Sequence, residues 1–153
     1  TLNSAYLRPR SRGTVRLASS DPAAAPLIDP NYWEDPYDRE MSIRGLKLAR
    51  EILRQPALKP YVLAERLPGP EVRTDQDYFD YACRHAKTDH HPAGTCRMGS
   101  DPAAVVDARL RLNGIERLRV VDASVMPTLV SSNTNAPTIM IAEKAADMIR
   151  ADH

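Results

Sequence analysis

The chain has 153 residues, 42% of them apolar, and a net charge of +1. That length suits one domain of ordinary size, with enough apolar residues for a core. The near-zero charge argues against a partner held by charge alone, such as a nucleic acid, and no apolar run approaches the ~18 residues that span a bilayer. The first residues, from Thr1 to Gly13, hold no apolar stretch of signal-peptide length, so a cytoplasmic location is expected. Two cysteines, Cys83 and Cys96, make no disulfide framework and suit a reducing compartment.

In chain order, Gly13 to Leu17 alternates polar and apolar residues and predicts a half-buried strand. A proline-punctuated loop follows, through Pro22, Pro26 and Pro30. Asp35-Pro36 supplies an N-cap and a first-turn proline for a helix that stops near Pro56. After a loop through Pro60, Pro68 and Pro70, Thr74 caps a second helix ending near Lys87, with Asp75 and Asp77 favourable in its first turn. Phe79, Ala82, Cys83 and Ala86 fall on one stripe of that helix, predicted to be buried. Beyond it, His90 to Thr95 reads as a loop, Arg109 to Leu112 as an alternating strand, and Asn113-Gly114 as a turn. Leu118 to Asp122 reads as a short buried strand. Ser131 to Asn135 is a polar loop, and Pro137 opens a last helix reaching about Arg150. Ala142, Ala145, Ala146 and Ile149 are the face predicted to pack.

Three of the four histidines lie close together: His85, His90 and His91. Any one histidine is more often a surface or satisfied core residue than a functional group. With Cys83 and Cys96 they suggest a metal set, but no pair has the C-x2-C or H-x3-H spacing of common zinc sites, and no metal is expected.

The string H-P-A-G-T-C-R-M-G at His91–Gly99 gives the cluster another meaning. It resembles the corresponding string of the glucose–methanol–choline (GMC) oxidoreductases, the choline and alcohol dehydrogenases among them. V-V-D-A-S-V-M-P at Val120–Pro127 and N-T-N-A-P-T-I-M-I-A-E-K-A-A-D at Asn133–Asp147 resemble two further family blocks, in the family's order and usual spacing. Leu7 to Leu17 looks like the start of the family's C-terminal region, so the resemblance covers nearly the whole chain. Three linked blocks are far more specific than one short motif.

The resemblance implies an α+β (α/β) fold. Residues 1–87 would belong to a substrate domain on an antiparallel sheet. Residues 88–153 would hold the active-site loop and the returning strand and helix of a Rossmann-like FAD-binding domain. The six glycines form no G-x-G-x-x-G, the fingerprint that the family carries at its N-terminus. With Thr1 in place of a starting Met, the chain is therefore expected to be a C-terminal piece, most of the FAD site lying elsewhere.

By the same resemblance, His91 is the catalytic histidine, taking the hydroxyl proton of an alcohol while a hydride passes to the flavin and an aldehyde or ketone forms. An imidazole titrates near neutrality and suits a general base. Asn135 matches the second catalytic position, its amide able to donate to the substrate oxygen; by itself it also reads as a helix cap. Asp122 and Ala123 are expected to contact FAD, as are Asn135, Ala136, Pro137 and Thr138, where the helix start approaches the flavin and its positive end would favour the reduced anion. Many relatives carry an aromatic residue before the catalytic histidine; His90 stands there and is expected to line the substrate cavity and favour a more polar alcohol. The expected partners are a small-molecule alcohol and FAD. The piece alone is expected to be inactive and, through exposed apolar surface, to self-associate. The alternative is a stand-alone, non-catalytic binding domain of the same fold.

Overall fold

The structure, a computed structural model, describes residues 1–152; His153 lies outside the described residues. Its elements are β1 (Thr14–Arg16), β2 (Leu27–Asp29), α1 (Pro36–Leu53), α2 (Asp75–His85) and α3 (Asn135–Ala151), with 3-10 turns at Lys59–Tyr61 and Ala123–Val125. It is thus a mixed α and β chain. β1 and β2 pair into a two-stranded sheet, all six residues exposed. β1 lies within the strand expected at Gly13 to Leu17, although it is not half-buried. β2 corrects the reading of its segment as loop: three residues between Pro26 and Pro30 are too few to show a period. Gly13 sits so close to the Asp29 carbonyl that a Cβ would clash with it.

The described residues form two compact units, one of residues 1–13 and 28–89, the other of residues 14–27 and 90–152. In the first, both helix starts are as the sequence predicts. The Asp35 carboxylate accepts from the Tyr37 N–H at 2.8 Å, with Pro36 at the first helical position. Thr74 and Asp77 form a reciprocal capping box, Asp77 N–H donating to Thr74 Oγ1 at 3.2 Å and Thr74 N–H to Asp77 Oδ2 at 2.8 Å. α1 packs on α2. From α1, Arg50 donates to Glu65 Oε1 at 3.0 Å, to the Val72 carbonyl at 2.7 Å and to the Gly69 carbonyl at 2.9 Å, and also to the Tyr78 hydroxyl. One guanidinium thereby gathers the loop between the helices and the start of α2. The buried face of α2 overlaps the expected stripe in part. Tyr78 and Ala82 are buried and Phe79 half-buried, whereas Cys83 and Ala86 are exposed.

Asp38, in the first turn of α1, is 2% exposed. It accepts from the Arg10 N–H at 2.9 Å and the Ser11 N–H at 2.7 Å, tying the N-terminal segment to the helix. Burial opposes its charge, but hydrogen bonds from Ser11, Tyr6 and the Arg10 backbone outweigh it and hold the carboxyl down at about 2.

In the second unit the core is Val106, Leu110, Val125, Met126, Ile141 and Ala145. Two expected strands are absent as such. Arg109 to Leu112 and Leu118 to Asp122 meet at one isolated bridge, Arg111 with Arg119, where Leu112 N–H donates to the Leu118 carbonyl at 2.9 Å and Val120 N–H to the Leu110 carbonyl at 3.1 Å; Leu112 also bridges to Val106. Leu110 (φ 64°) and Arg117 (φ 61°) adopt left-handed backbone, which breaks a strand's alternation. The Asp107 carboxylate bends the chain further by accepting from the Arg109 and Arg111 N–H groups at 2.8 and 2.9 Å. The packed face of α3 overlaps the expected one in part, at Ala145 and the half-buried Ala146. Ile141 and Ala145 are buried, while Ala142 and Ile149 are exposed. Its start lies two residues before Pro137, which occupies the third helical position and supplies no N–H.

Asp38→Asn should lower stability by roughly 2 kcal/mol near neutral pH, since the carboxyl sits well below its unfolded value. A depressed carboxyl stabilises fully above its unfolded pKa. The gap between parent and variant should therefore close as pH falls from about 5 towards 2. Urea midpoints against pH measure this; a gap that does not change with pH would contradict the assignment.

Candidate active site

The three sequence blocks meet in the second unit. The loop after His91 runs beside the turn at Ala123–Val125, Cys96 N–H donating to the Ser124 carbonyl at 3.0 Å and Met98 N–H to the Val125 carbonyl at 2.8 Å. Val125 is fully buried, and Ala93, Met98 and Ala123 pack around the same core. The loop continues inward, with Gly99 N–H donating to the Val106 carbonyl at 3.1 Å. Gly94 holds φ 91°, open to glycine at little cost, and a Cβ there would meet the Met126 carbonyl at 3.4 Å.

At its start the loop is tied to the third block. His91 Nδ1 and Thr134 Oγ1 are 2.9 Å apart, and the Thr134 N–H lies 3.5 Å from the same nitrogen. His91 is half-buried and Thr134 is 8% exposed. Thr134 is the N-cap of α3, yet its side chain makes no capping hydrogen bond. Its carbonyl closes the first turn instead, accepting from the Thr138 N–H at 2.9 Å and the Thr138 hydroxyl at 2.7 Å. Asn135 and Ala136 precede any carbonyl that could take their N–H groups within the helix, so the start of α3 presents two free backbone donors.

His90 is exposed and left-handed, with φ 62°. An unfavourable backbone conformation directly before His91 is the kind of strain that clusters at functional sites. Asp122 is exposed and caps the 3-10 turn by accepting from the Ser124 N–H at 2.7 Å. Ala123 is half-buried in that turn. Asn135 and Ala136 are exposed at the start of α3, and Pro137 and Thr138 are half-buried. The structure thus joins His91 to the start of α3 through Thr134, and joins the His91 loop to the Asp122 turn. Among the described residues no hydrogen bond links the Asn135 side chain to His91. Thr134 escaped the reading of the sequence: as one residue of a polar S-S-N-T-N run, nothing set it apart until the fold buried it. Among the described residues no three His, Cys, Asp or Glu side chains are arranged to hold a metal, and no helix is long and apolar enough to cross a membrane.

The sequence and fold of this chain match one class of proteins. The family model described as GMC oxidoreductase covers residues 9–142, and the chain belongs to that family. It is 50% identical over 149 residues to an alcohol dehydrogenase (acceptor) of Pseudomonas putida, covering 97% of this chain and 27% of the relative. It is 49% identical over 144 residues to an oxygen-dependent choline dehydrogenase of Chromohalobacter salexigens, covering 94% of this chain and 26% of that one. Among solved structures, the pyridoxine 4-oxidase from Mesorbium loti superposes with a TM-score of 0.90 at 40% identity, over 96% of this chain and 29% of that one. The chain therefore spans about a quarter of the length of the relatives it matches.

Because Gly94 needs positive φ, Gly94→Ala should cost about 1–2 kcal/mol in backbone strain. Chemical denaturation of parent and variant measures it, and equal midpoints would mean the loop relaxes freely.

Proposed function

We propose that this chain is the C-terminal catalytic portion of an FAD-dependent oxidoreductase acting on alcohols, with His91 as the general base. The observation that carries the reading is the clamp between His91 and the cap of α3, which directs one fixed imidazole at an open helix start. In this reading residues 1–87 form part of an antiparallel-sheet substrate domain. Residues 88–153 supply the active-site loop and complete a Rossmann-like FAD-binding domain provided mostly by other residues.

The residues present fit the cofactor. The N–H groups of Asn135 and Ala136 have no helix carbonyl to meet, both residues are exposed, and a helix N-terminus favours a neighbouring negative charge. They would hold the flavin with Pro137 and Thr138, and the backbone at Asp122 and Ala123 would hold another part of FAD. When bound, FAD supplies the hydride acceptor. His91 takes the proton from the substrate hydroxyl, and the alkoxide-like oxygen makes its carbinol carbon a better hydride donor. The Asn135 amide donates to that oxygen as charge develops there. Asn has no basic nitrogen, so of the two His91 alone serves as the base. His90, exposed beside it, shapes the alcohol cavity and favours polar substrates. The names of the relatives, which include alcohol and choline dehydrogenases, support an alcohol as substrate.

The test uses the flavin-loaded polypeptide that carries these residues. Mixed anaerobically with primary and secondary alcohols, it should lose its oxidised-flavin absorbance. His91→Gln should slow that step about 10²–10⁴-fold at neutral pH, the usual contribution of a general base. No bleaching by any alcohol class would refute the activity. Bleaching at the parent rate in His91→Gln would remove His91 from the base role. His90→Phe should shift the ratio of rates from polar towards aromatic alcohols, and an unchanged ratio would take His90 out of the cavity.

A further inference from the structure

We infer that His90 is a positioning residue for His91 through its backbone: the left-handed turn at residue 90 aims the neighbouring imidazole at the start of α3. The inference rests on the proposed base role of His91. It gives residue 90 a duty separate from the cavity-lining role proposed for its side chain.

Two left-handed corners bracket His91, one upstream at His90 with φ 62° and one downstream at Gly94 with φ 91°. Left-handed backbone is unfavourable for an L residue because its Cβ crowds the following carbonyl oxygen, and glycine escapes that crowding. The downstream corner therefore holds the residue suited to it. The upstream corner holds a residue with a Cβ, and such strain persists only where the surrounding structure over-determines the conformation. Histidine is enriched in left-handed backbone relative to most residues, whereas a β-branched residue there is an outlier.

The constraints on the corner lie on its far side and across from it. Pro92 follows His91 and disfavours helical backbone there, so His91 is pushed towards an extended conformation. Beyond it, Arg97 N–H donates to the Gly94 carbonyl at 3.2 Å and Cys96 N–H to the Ser124 carbonyl at 3.0 Å, which fixes the loop from Gly94 onward. Across from it, the Thr134 N–H donates to His91 Nδ1 at 3.5 Å, and Thr134 Oγ1 stands 2.9 Å from the same nitrogen. With the downstream path fixed and Thr134 fixed, the direction in which His91 enters the site is set by the backbone at residue 90. Turning that residue to an ordinary negative φ rotates the chain by more than about 100° and parts the imidazole from Thr134.

The experiment compares His90→Gly, His90→Ala, His90→Val and His91→Gln with the parent in the flavin-loaded polypeptide. Flavin reduction is followed over a range of alcohol concentrations, and ¹⁵N-labelled histidine rings are read by NMR, His91→Gln identifying the His91 signals. Glycine and alanine both remove the His90 imidazole and with it any cavity contact. They differ by one methyl group and by how readily they take left-handed backbone. His90→Ala should reduce flavin on the order of tenfold more slowly than His90→Gly at saturating alcohol, with similar KM, reflecting the left-handed penalty of a residue with a Cβ. His90→Val should be slower again. The His91 ring signals should stay nearest the parent in His90→Gly and lie furthest from it in His90→Val. Should the valine variant fail to fold, the glycine and alanine pair carries the test. Equal rates for that pair, or a slower glycine variant, overturn the inference, since the side chain would then account for the residue. Ring signals that do not follow the stated order overturn it as well, whatever the rates. If His91→Gln reduces flavin as fast as the parent, the base role itself fails, and the ring signals alone then decide whether residue 90 aims His91.

Discussion

The second unit depends on a short run of backbone pairing, in which Cys96 and Met98 donate to the carbonyls of Ser124 and Val125. These bonds join two segments far apart in sequence above a fully buried Val125. Buried backbone groups are costly unless paired. Pairing between these segments lets the loop lie on the core instead of standing off it. Everything on the loop then has a defined place: Gly94 turns through φ 91°, Met98 joins the core, and His91 reaches Thr134. The other end of α3 is held separately. Arg109 donates to Asp152 at 2.6 Å and to the Met148 carbonyl at 3.3 Å, and Arg119 also binds Asp152. A helix held at both ends presents its first turn in one direction.

The polar groups around that first turn are divided in a way that ordinary helix capping would not leave them. Asp122 gives its carboxylate to its own turn, as Thr74, elsewhere in the chain, gives its hydroxyl to the start of α2. Thr134 does neither, and Pro137 has no N–H to cap. The hydroxyl meets His91 instead, and the N–H groups of Asn135 and Ala136 have no helix carbonyl to meet. A helix start so arranged is a poorer cap and a better anion site. The left-handed backbone at His90, beside the histidine, is strain of the same local kind.

The first unit is organised by buried or half-buried charge more than by apolar mass. Its buried apolar side chains are few, Val72, Tyr78 and Ala82 among them, while Asp38 and Arg50 each gather two backbone groups. Such centres satisfy loop backbone that no sheet or helix pairs. They suit a unit with proline-rich connections, where regular hydrogen-bonded ladders cannot run far.

Local chemistry was legible in the residues themselves. Asp35-Pro36 and Thr74 with Asp77 announced two helix starts, because caps and first-turn residues act within four positions of chain. The three motif blocks pointed to the GMC oxidoreductases, to which the chain belongs. What lay beyond reach involved partners distant in sequence. Alternation suggested strands at Arg109 to Leu112 and Leu118 to Asp122, but left-handed Leu110 and Arg117 reduced them to single bridges. Helical period suggested stripes on α2 and α3 that include the buried Ala82 and Ala145, but Tyr78 and Ile141 are buried with them while Cys83, Ala86, Ala142 and Ile149 are exposed. Thr134 had no local signal at all. Its contact with His91 exists only because the fold brings together two residues 43 positions apart, and a hydrogen bond between distant segments is written in no single stretch of sequence.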